Sequence, residues 1–154
     1  MTQNRLISCC MVLGMVLAFS PKAHATLGER ADSITADREA LHAVQATSTP
    51  HGGYSVQEIS SVASQVREYL LPSGVVFGVS WNGRVNPDLT QLLGSYWNEY
   101  SVAQQKGVRT FGRRSRKVAT PNVVVQTWGH MRNLRGRAYL PALIPAGVAI
   151  DDIK

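Results

Sequence analysis

Cysteine is nearly absent from this sequence. The two cysteines, Cys9 and Cys10, lie near its start, and none follows them. From position 11 onward the chain therefore cannot form an internal disulfide, a thiolate metal site or a cysteine nucleophile. Histidine and acidic residues are also scarce, at 4 and 10 of 154 residues, which limits the supply of metal ligands and of general acids and bases.

Signature motifs of enzymes are missing as well. The sequence contains no G-x-S-x-G nucleophile elbow and no phosphate-binding glycine loop. Its acidic residues are scattered, apart from the adjacent Asp151 and Asp152, so no carboxylate pair for glycoside hydrolysis is marked. His42, His51 and His130 do not have metal-binding spacing. We expect no cofactor and no metal ion, and a small hydrolase with His130 as its base and Ser80 or Ser95 as its nucleophile is the least favoured hypothesis.

The first 25 residues have the three zones of a secretory signal peptide. One positive charge, at Arg5, precedes an uncharged and mostly apolar run over residues 6–19, and a short polar stretch ends with small residues at Ala23 and Ala25. Cleavage is predicted after Ala25. As a helix the apolar run would span about 21 Å, less than the about 30 Å of a bilayer core. We therefore predict a periplasmic or secreted protein without a transmembrane segment after cleavage.

The same pattern disfavours two alternatives to cleavage. A retained membrane anchor is disfavoured by the short apolar run, and lipidation at Cys9 is disfavoured because most of that run follows the cysteine. Removal of residues 1–25 takes away Arg5 and Lys22 but none of the 10 acidic residues, so the formal net charge falls from +6 to +4. The remaining residues are enough for one domain with a core of its own.

Periodicity predicts the secondary structure of this domain. Residues 26–53 are predicted to form a short N-terminal helix and then a linker over residues 45–53, and residues 54–154 an antiparallel α+β domain that makes one globular unit with them. Within that domain the strands are predicted at residues 54–60, 65–71, 75–81, 122–128 and 137–140. Residues 129–136 are predicted to form a turn.

Two segments of the domain have the clearest patterns. In the third predicted strand, Val75, Phe77, Val79 and Trp81 should share one face, and the other face should carry Gly78, Ser80 and Asn82. A helix should begin with Asn86 as its N-cap. Its apolar positions recur at helical spacing, which is typical of core packing: Leu89, Leu92, Leu93, Tyr96, Trp97 and Tyr100. The predicted fold class is α+β: a small antiparallel sheet of about five strands, covered by this amphipathic aromatic helix, with a short N-terminal helix.

A basic segment over residues 106–117 is the candidate binding site. Half of its residues are Lys or Arg, and guanidinium groups bind phosphate and carboxylate well. The proposed binding residues are Arg109, Phe111, Arg113, Arg114, Arg116 and Lys117. Anionic lipid, lipopolysaccharide or an acidic envelope protein would be the partner, whereas nucleic acid is not expected outside the cytoplasm. The alternative is a solvated loop that only aids solubility.

Several blocks of the sequence resemble a known family. They are residues 66–69 (VREY), 73–77 (SGVVF), 92–96 (LLGSY), 129–132 (GHMR) and 136–148 (GRAYLPALIPAGV). The chain thereby resembles a proteobacterial family described only as domain of unknown function number 2844. The resemblance implies a small exported protein and gives no functional residue.

Three hypotheses about function follow. The first is a non-catalytic periplasmic or secreted binding or accessory module that uses the basic segment for anionic envelope components. The second is a structural partner of another envelope protein, bound through a sheet edge or the proline-rich tail at residues 141–145. The third is the small hydrolase.

Overall fold

Seven antiparallel strands form one sheet in the computed structural model, which describes residues 27–30, 45–107 and 115–154. The spatial order is β1-β2-β3-β4-β7-β6-β5, so β1 and β5 are the edges. The strands are β1 Gln45–His51, β2 Tyr54–Ser60, β3 Ser64–Leu70, β4 Val76–Gly83, β5 Ser115–Ala119, β6 Val124–His130 and β7 Asn133–Tyr139.

One helical segment connects β4 to β5 and covers one face of the sheet. It consists of α1 (Leu89–Leu93), a 3-10 turn (Gly94–Tyr96) and α2 (Trp97–Lys106). In the described residues no helix is both long and apolar enough to cross a bilayer. Hydrogen bonds from Thr120 and then Asn122 hold the pKa of the Glu99 carboxyl below its usual value. Glu99 therefore links α2 to the turn between β5 and β6.

The two sheet faces carry separate hydrophobic clusters. On the face beneath the helix, here called the helix face, apolar side chains of the central strands pack against Leu92, Leu93 and Tyr100. The opposite face, here called the open face, carries a smaller cluster that includes Tyr69, Phe77 and Ile153. Residues 141–154, here called the C-terminal tail, supply Ile153 to that cluster. The sheet is therefore covered by a helix on one side and by a tail on the other.

A β-bulge in β4 corrects the predicted face of Phe77. Tyr69 pairs with Gly78 but Leu70 pairs with Val76, so Phe77 is an additional residue without a partner in the ladder. Such an insertion breaks the alternation of side chains. Phe77 consequently packs with Tyr69 on the open face, whereas Val79 and Trp81 lie in the helix-face cluster.

The predicted fold class was wrong. The described part of the protein is mostly β, with seven strands rather than about five, and the α+β assignment does not hold. The two additional strands are β1, predicted as a linker, and β5, predicted as part of a basic loop. Both lie at sheet edges, and their described side chains are mostly exposed. An edge strand of this kind is held by backbone pairing and needs no alternating apolar pattern, so periodicity did not reveal it.

A loop followed by a short N-terminal helix was predicted over residues 26–46, of which residue 26 and residues 31–44 lie outside the described part. The described residues at its two ends are not helical. Leu27–Arg30 forms a turn and an isolated bridge from Arg30 to Val75, and Gln45 already belongs to β1. Leu27 is fully buried and its backbone N–H donates to the Leu92 carbonyl. This segment is therefore fixed between the helix and the sheet.

Two local predictions also need correction. The helix is capped by Asp88, whose Oδ1 accepts a hydrogen bond from the Thr90 N–H at 2.8 Å. Asn86 instead accepts a hydrogen bond from the Trp81 indole at 3.3 Å. The turn predicted over residues 129–136 is shorter, because His130 pairs with Asn133 and only Met131 and Arg132 lie between them. Strands β6 and β7 therefore extend further than the apolar pattern indicated.

Replacement of Gly136 tests the contact that joins β4 to β7. Gly136 pairs with Trp81, and a Cβ at this position would overlap the Trp81 ring. We expect Gly136→Ala to lower the free energy of unfolding by about 1–3 kcal/mol, the usual cost of overpacking. The control is Gly52→Ala, where a Cβ meets no atom within 4 Å and the change should be below about 0.5 kcal/mol. Urea denaturation checks both, and equal stabilities would contradict the assigned contact.

Candidate functional site

The end of the C-terminal tail is fixed at the centre of the open face. Ile153 is fully buried, and a Cβ on Gly78 would lie 3.1 Å from its Cδ1. The Tyr69 hydroxyl donates to the Lys154 carbonyl and accepts from the Lys154 N–H, both at 2.9 Å. Arg67 also donates to the Lys154 carbonyl, at 2.9 Å. Missing side-chain volume at Gly78 and polar groups on β3 thus create the docking site of the tail.

Arg137 holds the tail from the other side. Its guanidinium donates to the Ile150 carbonyl at 2.6 Å and to Asp151 Oδ1 at 3.2 Å. Its Nε donates to Gln126 Oε1 at 2.7 Å, and the group lies 5.7 Å from the centre of the Trp128 ring. The distance is typical of a cation–π contact. Arg137 is therefore saturated by contacts within the protein.

The tail divides the open face into two concavities. One, here called the arginine pocket, has a volume of about 280 Å³ and lies over β3, β4, β7 and β6. The other, here called the tyrosine pocket, has a volume of about 450 Å³ and lies over β1, β2 and β3. Arg67 and Lys154 border both.

The arginine pocket has an excess of positive charge. Its described lining includes Arg67, Arg135 and Lys154, and none of those lining residues is acidic. Arg67 is paired with Glu58 at 2.8 Å. Arg135 is exposed and donates to Asn133 Oδ1 at 3.2 Å, and within the described chain it has no carboxylate partner. Arg135 is thus the guanidinium best placed to receive an anion.

Neutral groups complete the arginine pocket. Asn82 and Trp128 flank Arg135 in the register of β4, β7 and β6. An amide offers both donors and acceptors, and an indole offers an apolar surface together with one donor. This combination suits a ligand that carries an anionic group on a polar skeleton, such as a phosphorylated sugar or a phospholipid headgroup.

The tyrosine pocket is mixed in charge. The rings of His51 and Tyr54 stack there with centres 4.9 Å apart. Burial raises the pKa of the Tyr54 hydroxyl, and the negative charge of Asp152 raises it further. Its lining contains Glu58 and Asp152 as well as Arg67 and Lys154. The acidic side chains make it less suited to an anion than the arginine pocket.

The structure describes only two of the six predicted binding residues. Arg109, Phe111, Arg113 and Arg114 lie outside the described residues, as do the cleavage residues Ala23 and Ala25. Arg116 and Lys117 are adjacent on β5 and therefore point to opposite faces. Arg116 donates to the Gln104 carbonyl of the helix at 2.8 Å. Lys117 pairs with Gln126 on β6, the strand that also carries Trp128. The structure does not bring these two cations together.

Sequence reasoning missed the residues of the arginine pocket. Arg135 and Trp128 were assigned to a turn and to a strand end without a role. Period-two alternation was the available signal, because Arg135 and Arg137 on β7 and Gln126 and Trp128 on β6 share the open face. Glu68 was missed too. This acidic residue is fully buried on the helix face, between the buried apolar residues Val66 and Leu70. The alternation of those two residues was the signal that position 68 faces the core.

The residues of the hydrolase hypothesis are separated in the fold. Ser80 pairs with Arg137, which pairs with Gln126, and His130 lies four residues further along β6. Two strand spacings and four residues separate Ser80 from His130 by roughly 16 Å. Ser95 belongs to the helical segment on the other side of the sheet. Over the described ranges no group of three or more His, Cys, Asp or Glu residues is arranged to hold a metal ion.

Comparison with known proteins identifies a family and no activity. A family model described as "Protein of unknown function (DUF2844)" matches residues 23–153. The resemblance to domain of unknown function number 2844 is thereby confirmed. No curated protein and no solved structure matches the chain.

Replacement of Ile153 tests the docking of the tail. We expect Ile153→Ala to reduce the free energy of unfolding by about 2–4 kcal/mol, because a fully buried aliphatic side chain is removed. The control in the same tail is Ile150→Ala. Ile150 is 40% exposed, so its loss should cost less than about 1 kcal/mol. Urea denaturation measures both values, and an Ile153→Ala variant as stable as the Ile150→Ala variant would show that the tail is not anchored as described.

Proposed function

The chain belongs to the DUF2844 family of proteins of unknown function, and we propose that it is an exported, non-catalytic module that binds anionic envelope components in the arginine pocket. The carrying observation is the charge of that pocket. Three cationic residues line it, and its described lining contains no acidic one. An anion there would meet the exposed Arg135 beside the indole of Trp128.

Arg135 carries most of this argument. Arg67 is already paired with Glu58, and Arg137 is committed to the tail and to Gln126. Charge-assisted hydrogen bonds are stronger than neutral ones, and a guanidinium can offer two parallel donors to phosphate or carboxylate. Arg135 is therefore the residue whose loss should affect binding most.

The basic segment fits this proposal as an additional contact. Ser115, which follows residues 108–114 in the sequence, pairs with Trp128. Within those residues Arg109, Arg113 and Arg114 would add long-range attraction, since a cation near an anionic surface contributes about 1 kcal/mol at low salt. Lys117, three positions from Arg114, extends the basic character along β5.

The alternative proposal, a structural partner of another envelope protein, has fewer possible binding surfaces than the sequence suggested. The C-terminal tail is occupied by its own sheet through Ile153, Tyr69 and Arg137. Partner binding would therefore have to use a sheet edge. Pro50 on β1 and two cations on β5 are features that discourage strand addition.

Processing of the N-terminus tests export. When the chain is expressed in a Gram-negative host, we expect it in the periplasmic fraction with Thr26 as its first residue, because Ala23 and Ala25 supply the small residues that signal peptidase requires. Mass spectrometry of the purified protein measures this. A variant with Ala23→Tyr and Ala25→Tyr should accumulate as precursor. A cytoplasmic chain that begins at Met1 would contradict the proposal.

Binding of a soluble phosphate compound tests the pocket. We expect pyrophosphate to shift the Trp128 indole resonance in NMR titrations, with an affinity that falls as salt rises. The chain has three tryptophans, so Trp128→Phe assigns the signal. Arg135→Ala should weaken binding by about tenfold or more, as expected for a lost charged hydrogen bond.

The matched control for charge is Lys106→Ala, which removes an exposed cation at the end of α2, on the helix-covered side of the sheet. It should leave the affinity unchanged within about twofold. Equal losses in both variants would indicate general charge attraction and not a pocket. Undiminished binding in Arg135→Ala would refute the assignment of the pocket.

A further inference from the structure

Large apolar side chains are exposed at one end of the sheet. This tip end consists of the turn at residues 61–63, the segment at residues 84–86 and the hairpin turn at residues 131–132. Val62 is 89% exposed, Val85 is 61% exposed and Met131 is 84% exposed. They are three of the five exposed large hydrophobic residues in the described chain; the others are Val102 and Ile150. Single exposed apolar residues are common on protein surfaces, but three at one end of a sheet form an apolar patch of the kind that marks an interaction site.

The three segments lie side by side. Ser64 pairs with Gly83 and Gly83 pairs with Leu134, so the turns and the segment emerge from neighbouring strands. The Arg84 N–H also donates to the Ala63 carbonyl at 2.9 Å. With strands spaced about 4.8 Å apart, the β2–β3 and β6–β7 turns are roughly 14 Å from each other. The apolar side chains can therefore contact one surface at the same time.

The tip end and the residues that border it are positively charged. Residues 61–63, 83–86 and 129–135 contain Arg84, Arg132 and Arg135 and no acidic residue. Arg132 has a φ of +60°, a left-handed conformation that glycine adopts at lower cost than any other residue. A guanidinium therefore occupies a turn position where the backbone favours glycine. Apolar tips ringed by arginines complement an anionic lipid surface.

The arginine pocket adjoins the tip end. Its residues Asn82, Arg135 and Trp128 form one register row across β4, β7 and β6. The next row toward the end contains Gly83 and Leu134, and on β6 and β7 the pair of His130 with Asn133 follows before the turn begins. A molecule bound at Arg135 would thus lie about three residues from the apolar tips, roughly 10 Å along the strands.

We propose that the tip end docks on an anionic membrane leaflet, with Val62, Val85 and Met131 at the acyl boundary and a lipid phosphate in the arginine pocket. This inference rests on the proposed function and names its ligand source as a membrane lipid. Arg84 and Arg132 face the surrounding phosphates. Apolar insertion and cationic attraction act together, as in other proteins that bind a membrane surface without spanning it.

Vesicle binding with paired variants tests the docking. Sedimentation is measured with vesicles of phosphatidylglycerol and phosphatidylcholine in equal parts and with vesicles of phosphatidylcholine alone. We expect binding to the anionic vesicles only. Val62→Ser combined with Met131→Ser should weaken it by about tenfold or more, because two apolar side chains no longer enter the lipid.

The control is Val102→Ser on α2, outside the tip end, where the side chain is 42% exposed. It should bind vesicles as the unaltered chain does. The Val62→Ser, Met131→Ser variant should keep its affinity for pyrophosphate, which shows that the pocket is intact and the fold preserved.

The outcomes separate the inference from the proposed function. If the tip variant binds anionic vesicles as well as the control does, membrane docking by the tip end is refuted while pyrophosphate binding still supports the pocket. If pyrophosphate binds but no vesicle does, a soluble anion or a protein partner replaces the membrane. If Arg135→Ala alters neither vesicle nor pyrophosphate binding, the proposed function itself fails.

Discussion

The pairing of β4 with β7 is the constraint on which the remaining structure depends. Strands β1–β4 form one meander and β5–β7 another, and within the sheet of the described residues the ladder between Gly78–Gly83 and Leu134–Tyr139 joins them. At its centre the Trp81 ring covers Gly136 on the helix face. The helix spans the junction on that side and the tail crosses it on the other. The arginine pocket exists only because this pairing places Asn82 next to Arg135.

The bulge at Phe77 explains why the two faces differ. Without it, Phe77 would join Val79 and Trp81 beneath the helix, and the open face would lose the aromatic ring that packs with Tyr69 and Ile153. One inserted residue thus moves a large side chain from the helix layer to the tail layer. That transfer lets a short tail bury its own apolar residues without a second sheet or helix.

Periodicity located the elements that bury apolar side chains. Strand β2 has the bounds expected from its pattern, and the aromatic helix covers a sheet face as expected. Periodicity could not locate β1 and β5, because their described side chains are mostly exposed. The start of β5 was instead assigned to a basic loop. The pocket was also invisible, because Gln65, Asn82, Arg135 and Trp128 come from four strands whose register is set by pairing. No local sequence pattern predicts that residues 150–154 pack against the centre of the sheet.

Gly136 belongs to two layers at once. Its backbone lines the arginine pocket on the open face, while its missing side chain leaves room for the Trp81 ring on the helix face. The sheet is one strand thick there, so the same backbone atoms of Gly136 line the pocket on one face and contact the core on the other. Packing and recognition cannot be adjusted independently at this position. Variation that reshapes the pocket has to enter through its rim, at Arg135, Asn82 or Trp128, where the core is not disturbed.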